Sequence, residues 1–267
     1  MLNFLYKTII GRLILKILTR PTLSRLAGCF MDSKMSSLFI TPFIRKNHIL
    51  LDEYKIEDWR SFNHFFTRCV KENARTFSPD KKVLSAPCDG LLTVYDITDN
   101  LSFIVKNSEY NIKSLLENEN LADKYKNGTC LVFRLTPSHY HRYHYFDNGV
   151  KEKNIKIPGI LHTVQPIAVE NAPVYTRNTR EYSVLKTENW GNVIFMEVGA
   201  MLVGRIVNYH QEYAFSKGEE KGKFEFGGST IILLFENGKV RINNDIIKAN
   251  ADGFEFPVKA GEKIGGI

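Results

Sequence analysis

The chain has 267 residues, 43 % of them hydrophobic and 12 % aromatic, which is enough to bury the core of one large domain and excludes a disordered protein. Its net charge of +7 points to an anionic partner, either nucleic acid or an acidic lipid surface. Four scattered cysteines without C-x-x-C spacing exclude a disulfide scaffold and fit a reducing cytoplasm.

Residues 1–75 read mainly as helix, with breaks at Pro21 and Pro42. No acidic residue precedes Asp32, whereas Lys7, Arg12, Lys16, Arg20 and Arg25 are spread among Leu, Ile and Phe. On a helical wheel Leu2, Tyr6, Ile9, Leu13 and Ile17 share one side, with Ile10 and Ile14 beside them; Thr8, Arg12, Lys16 and Thr19 fall opposite. The charge-free gaps are far shorter than the roughly 20 apolar residues that span a bilayer. The pattern therefore predicts a helix lying on an anionic membrane, in preference to one packed on the protein's own core. Leu26-Ala27-Gly28-Cys29 matches a lipoprotein cleavage box, but Arg12, Lys16, Arg20, Pro21 and Arg25 interrupt the apolar run a signal peptide needs. Further on, Asp58 is the expected N-cap of a short helix through Phe66 that buries Trp59, Phe62, Phe65 and Phe66.

After Lys82 the texture changes to short runs of Val, Ile, Phe and Thr punctuated by Asn127-Gly128, Asp147-Asn148-Gly149, Gly191-Asn192 and Asn237-Gly238. These turn signals predict antiparallel strands over residues 130–135, 193–198, 230–235 and 239–242. The tail from Pro257 to Gly265 reads as a turn-strand unit of barrel-sandwich folds. The expected class is α+β, a mainly antiparallel, barrel-sandwich-like β core carrying N-terminal amphipathic helices. No repeat, low-complexity tract or linker interrupts it.

The chemistry concentrates in three places. Gly227-Gly228-Ser229-Thr230 sets a hydroxyl beside a glycine carbonyl, where the missing Cβ permits close approach. Serine is a weak nucleophile until a base takes its proton. His141 and His144, shortly after the strand at 130–135, can supply one, and Asp89 in the Pro87-Cys88-Asp89-Gly90 turn can hold the imidazole in its working tautomer, giving the order Asp89, His144, Ser229. His139, His141 and His144 also allow a zinc site, but no Cys or carboxylate stands at metal-ligand spacing, so no metal is expected.

Together with the run from Phe62 to Arg68, these motifs resemble, in order and spacing, the phosphatidylserine decarboxylases, over most of residues 1–267. Gly227 departs from the leucine many relatives carry, and His139 stands where some have an acidic residue, which removes support for a second carboxylate. The resemblance implies that Asp89 and His144 activate Ser229 against the carbonyl of Gly228, and that the chain splits there into residues 1–228 and 229–267. It further implies that Ser229 becomes a pyruvoyl cofactor and that His141 serves the later decarboxylation as proton donor or substrate contact. Such a carbonyl takes up the substrate amine and then the electron pair left by CO₂, work that pyridoxal phosphate does elsewhere. The expected division is a membrane-associating helical region over 1–75 and a β-rich catalytic domain over 76–267. The expected partners are phosphatidylserine in an anionic membrane, at its cytoplasmic face, and the two cleavage fragments for each other; a homo-oligomer is compatible with the sequence. Two rival readings are a pyruvoyl decarboxylase of a soluble amino acid, against which the amphipathic helix argues, and a non-catalytic membrane-binding module. Nucleic acid is not an expected partner, because the positive charge sits in a greasy helix and no reader motif is present.

Overall fold

A computed structural model of the chain describes residues 2–105, 108–201, 205–226 and 229–267. The expected amphipathic run over residues 2–18 is two helices, α1 (Leu2–Lys7) and α2 (Ile9–Leu18). Thr8 between them is extended, and its Oγ1 accepts the Gly11 amide at 3.0 Å, capping α2. The helices meet closely at Gly11, where a Cβ would stand 2.0 Å from the Phe4 carbonyl oxygen. This fold-back breaks the predicted stripe. Leu5 and Tyr6 turn inward and join Leu15 in a core cluster, whereas Ile9, Ile10, Leu13 and Ile17 on α2 are each more than half exposed. Among the described residues no helix is long and apolar enough to cross a membrane.

Pro21 opens α3 (Pro21–Met31) at its first position, where a missing N–H costs nothing. A 3₁₀ turn over Lys34–Phe39 leads into α4 (Ile40–Lys46). Pro42 is not a break: it lies in the first turn of α4, whose amides have no intrahelical partner to lose. In α5 (Phe62–Phe66) the cap is Ser61, whose hydroxyl accepts the His64 amide at 3.2 Å. Asp58 lies three residues too early for that bond, so its predicted capping role is corrected. Phe62, Phe65 and Phe66 are buried as expected, and Trp59 packs at the margin of their cluster.

The remainder is dominated by a nine-stranded sheet in which every pairing is antiparallel. Its centre is Ser229–Phe235, flanked by Asn192–Val198 on one side and Thr129–Leu135 on the other. All seven residues of the central strand are buried, because both faces are covered. Ile231, Leu233 and Phe235 point into one cluster with Phe133, Leu135, Trp190 and Phe195; Ile232 and Leu234 point into the other with Cys130, Val132, Ile194 and Met196. At about 1.5–3 kcal/mol for each fully buried aliphatic side chain, this strand is a main source of the fold's stability.

A smaller sheet orders Ile206–Asn208, Glu220–Phe224 and Arg142–His144. It is tied to the large sheet by the ion pair of Lys221 and Glu197, both fully buried, with Asn208 bonded to each. The tail strand Lys263–Gly266 pairs with Val83–Ser85 and Arg241–Ile242. Of the four turn signals, only Gly191, at φ +74°, closes a hairpin between neighbouring strands. Asn237-Gly238 instead releases the chain to a different sheet, since Arg241–Ile242 pairs with the tail and not with Ser229–Phe235.

Candidate active site

Ser229 is the first residue of the central strand and is fully buried. Its Oγ has no hydrogen-bond partner among the described residues. A buried hydroxyl left unpaired costs about 1–3 kcal/mol, so an orphaned serine in a well-packed strand calls for a chemical explanation. Gly227 and Gly228, with the peptide expected to react, lie outside the described residues.

The chain on the upstream side is held firmly. The Phe226 amide donates to Asn63 Oδ1 at 3.0 Å, and Asn63 Nδ2 donates to Asp32 Oδ1 at 2.8 Å. The Phe226 ring meets Phe62 edge-on at 4.8 Å and Phe66 at 5.5 Å. Arg205 bridges Glu225 and Asp32 at 3.1 and 3.7 Å. A cavity of about 380 Å³ opens against this segment, with Arg25 and Cys29 of α3, Asn63, Arg205, Glu225 and Phe226 in its wall.

The register then delivers the histidines. Ser229 pairs with Leu135, the last residue of its strand, and the chain continues directly into the turn Thr136–His141. In that turn the Thr136 amide donates to His139 Nδ1 at 3.0 Å, and Arg68 Nη2 donates to the carbonyls of Ser138 and His139 at 2.9 and 3.3 Å. His141 is fully buried, its Nδ1 bonded to the His139 carbonyl at 2.9 Å and its ring 4.0 Å from that of Phe66. The His141 carbonyl accepts the Phe224 amide, which sets this histidine beside the chain as it runs toward Ser229.

His144 ends the next strand. Its Nδ1 donates to the Gly218 carbonyl at 3.1 Å, and the rings of Phe77 and Tyr140 pack on the imidazole. Its Nε2 is buried without a partner among the described residues. Burial pushes its pKa below the ordinary 6.5, against the opposing pull of Glu220 and Asp89. A neutral imidazole whose Nδ1 carries the proton has its lone pair on Nε2 and is a base in waiting.

The His144 amide donates to the Pro87 carbonyl at 2.8 Å, so strand and Asp89 turn lie side by side. The Asp89 carboxylate, however, is bonded elsewhere. Arg75 grips it from Nε and Nη2 at 2.8 and 2.7 Å, and the Ala260 amide adds a bond of 2.9 Å. Burial opposes the Arg75 charge, yet the bonds to Asp89, with Glu53 behind, leave its pKa raised. The imidazole Nδ1 proton thus goes to a backbone carbonyl and not to Asp89, whose charge only favours the protonated form of His144 against burial. Arg75 and Phe226 escaped the sequence reading, and Asn63 and Arg68 entered it only as members of the Phe62–Arg68 motif, without a role. Among the described residues no group of three or more His, Cys, Asp or Glu side chains is set to hold a metal ion.

The family model for phosphatidylserine decarboxylase matches residues 62–266. Among curated proteins, phosphatidylserine decarboxylase proenzyme 2 of Clostridium acetobutylicum is 48 % identical over 99 % of this chain and 91 % of its own length. The phosphatidylserine decarboxylase proenzymes of Ruminiclostridium cellulolyticum and Clostridium tetani are 44 % and 42 % identical, each over 99 % of this chain and 90 % and 91 % of their own. Fold and matches together define a decarboxylase made as a proenzyme, cut into two chains and dependent on a pyruvoyl group derived from one of its own serines. The chain belongs to the phosphatidylserine decarboxylase family, and its reaction is the decarboxylation of phosphatidylserine.

Proposed function

We propose that Ser229 is the serine that becomes the pyruvoyl group, and that cleavage falls between Gly228 and Ser229. The observation that carries this assignment is the buried Oγ at the head of the central strand, without a partner among the described residues. His144, neutral and with its Nε2 lone pair available, takes the Oγ proton as the hydroxyl attacks the Gly228 carbonyl carbon. The C–N bond breaks and the acyl group passes to oxygen. Loss of the Ser229 α-proton then expels residues 1–228 as a carboxylate, and water replaces the terminal nitrogen, which leaves as ammonia. The anchored Phe226 and Glu225 limit the motion of the acyl side, so the reacting groups stay within reach. Asp89, held by Arg75 and Ala260, steadies the turn beside His144 and offsets the positive charge that develops there.

The pyruvoyl carbonyl supplies an electron sink for the pair left when CO₂ departs. His141, buried beside the Phe224 backbone, serves this second reaction as proton donor or substrate contact. The cavity against Phe226 gives the lipid substrate room next to the reacting centre, and its other wall is α3, which carries the exposed Leu26 and Phe30. The row Ile9, Leu13 and Ile17 of α2 is likewise exposed and apolar, and Arg12 and Lys16 are exposed on the same helix. The enzyme therefore docks peripherally on the cytoplasmic face of an anionic membrane and draws phosphatidylserine from the bilayer, its two fragments remaining together as a heterodimer. Ser229→Ala tests the assignment: it should stay one chain without activity on phosphatidylserine, and splitting at this peptide in the variant would overturn it.

A further inference from the structure

A second cavity, of about 320 Å³, lies on the flank of α2 and shares no lining residue with the cavity beside Phe226. Arg12, Lys16, Arg177, His162 and Tyr6 line it, and no acidic residue does so among the described residues. None of the three cations lies within ion-pair distance of a carboxylate among the described residues. Three converging positive charges repel one another, an arrangement that an anion relieves.

The interior wall adds a buried histidine. Tyr6 and His162 share a hydrogen bond of 3.1 Å between the hydroxyl and Nδ1. In the tautomer where the hydroxyl donates to Nδ1, the imidazole proton stands on Nε2. That Nε2 is buried and unpartnered among the described residues, and His162 is only 7 % exposed. Asn178 fixes the residue by bonding both its amide and its carbonyl, at 2.9 and 2.8 Å. Burial, with Arg177 nearby, pushes His162 down to about 4, so the ring is neutral at physiological pH.

The position on the helix selects the ligand. Arg12 and Lys16, one turn apart, lie between the exposed row Ile9, Leu13, Ile17 and the buried pair Gly11, Leu15. When the exposed row enters the acyl region, this flank stands at the depth of the headgroups. We propose that the cavity binds the phosphate of an anionic membrane phospholipid, one per chain, at a site separate from the one where phosphatidylserine reacts. Arg12, Lys16 and Arg177 neutralise the phosphate, and His162 closes the inner wall behind them. The inference rests on the membrane-docking reading of α2 above.

Arg177 is the residue to change, because it is exposed and lies outside both α2 and the catalytic segment. Titration calorimetry of the processed enzyme with monomeric dihexanoyl phosphatidylglycerol should give saturable binding at one site. Arg177→Gln should weaken it about 10-fold or more, the loss of one charge-assisted hydrogen bond, and Arg177→Lys should retain most of it. Non-saturable binding, or wild-type affinity in Arg177→Gln, overturns the proposal. Inorganic phosphate binding as tightly as the lipid also overturns it, since the site would then serve a free anion. Co-sedimentation of Leu13→Glu with phosphatidylcholine–phosphatidylglycerol vesicles tests docking separately. A variant that no longer sediments but still binds the soluble lipid supports the pocket; a wild type that sediments but does not bind the soluble lipid keeps docking and removes the pocket.

Discussion

His144 donates its Nδ1 proton to the carbonyl of Gly218 at 3.1 Å, and a carbonyl can only accept, so the Nε2 lone pair is the one left for chemistry. Gly218 sits at φ +86°, a conformation that costs an L-residue about 1–2 kcal/mol, and a Cβ there would press on Phe77 at 3.3 Å. Gly218→Ala should therefore slow self-cleavage without touching a reacting group. Processing half-times measured by gel should lengthen; an unchanged half-time would show that the carbonyl does not set the imidazole.

The same histidine fixes a pH dependence. Its folded pKa lies below the ordinary 6.5, so the neutral base persists at pH values where an exposed histidine is largely charged. The cleavage rate should stay level from pH 8 down through 6.5 and fall only in more acidic buffer. The stability sign follows too: the unfolded chain takes up the proton first, so stability contributed by burying neutral His144 is present above 6.5 and is lost as pH falls below it. Rates that halve near 6.5 would contradict the assignment.

Arg75 and Asp89 have side chains only 3 % and 6 % exposed, so removing one strands the other's charge. Arg75→Ala in the uncleaved Ser229→Ala background should cost about 3–5 kcal/mol in denaturant unfolding. Arg75→Lys should recover only part, because an ammonium cannot repeat the two-pronged grip. A loss below about 1 kcal/mol would mean the pair holds nothing in place.

For the membrane surface, Arg12, Lys16 and Arg20 changed together to glutamate should sharply reduce co-sedimentation with anionic liposomes and lower activity on bilayer phosphatidylserine. Cleavage should be unaffected. Each basic side chain near such a surface contributes about 1 kcal/mol, screened by salt. Sedimentation equal to wild type would make α2 an ordinary element of the fold.

The sequence exposed those features that repeat locally. The run after Ser229 announces a buried strand, and the apolar spacing before Asp32 announces helix. What it hid depends on distant chain. Nothing near Arg75 indicates that it faces Asp89, and nothing in Tyr6 indicates His162, 156 residues away. The wheel drawn through residues 2–18 failed at Thr8, since periodicity assumes an unbroken helix and a threonine able to cap can end one. Likewise Asn237-Gly238 marks a turn correctly but not which strand receives the chain, which packing decides.

The most direct test of the account is the denaturing mass of freshly purified protein. Two species are expected, one of residues 1–228 with a free carboxylate and one of residues 229–267 lighter by one ammonia than the serine-started peptide. A single unbroken chain, or a small fragment with serine at its N-terminus, would contradict the conversion of Ser229 into the cofactor.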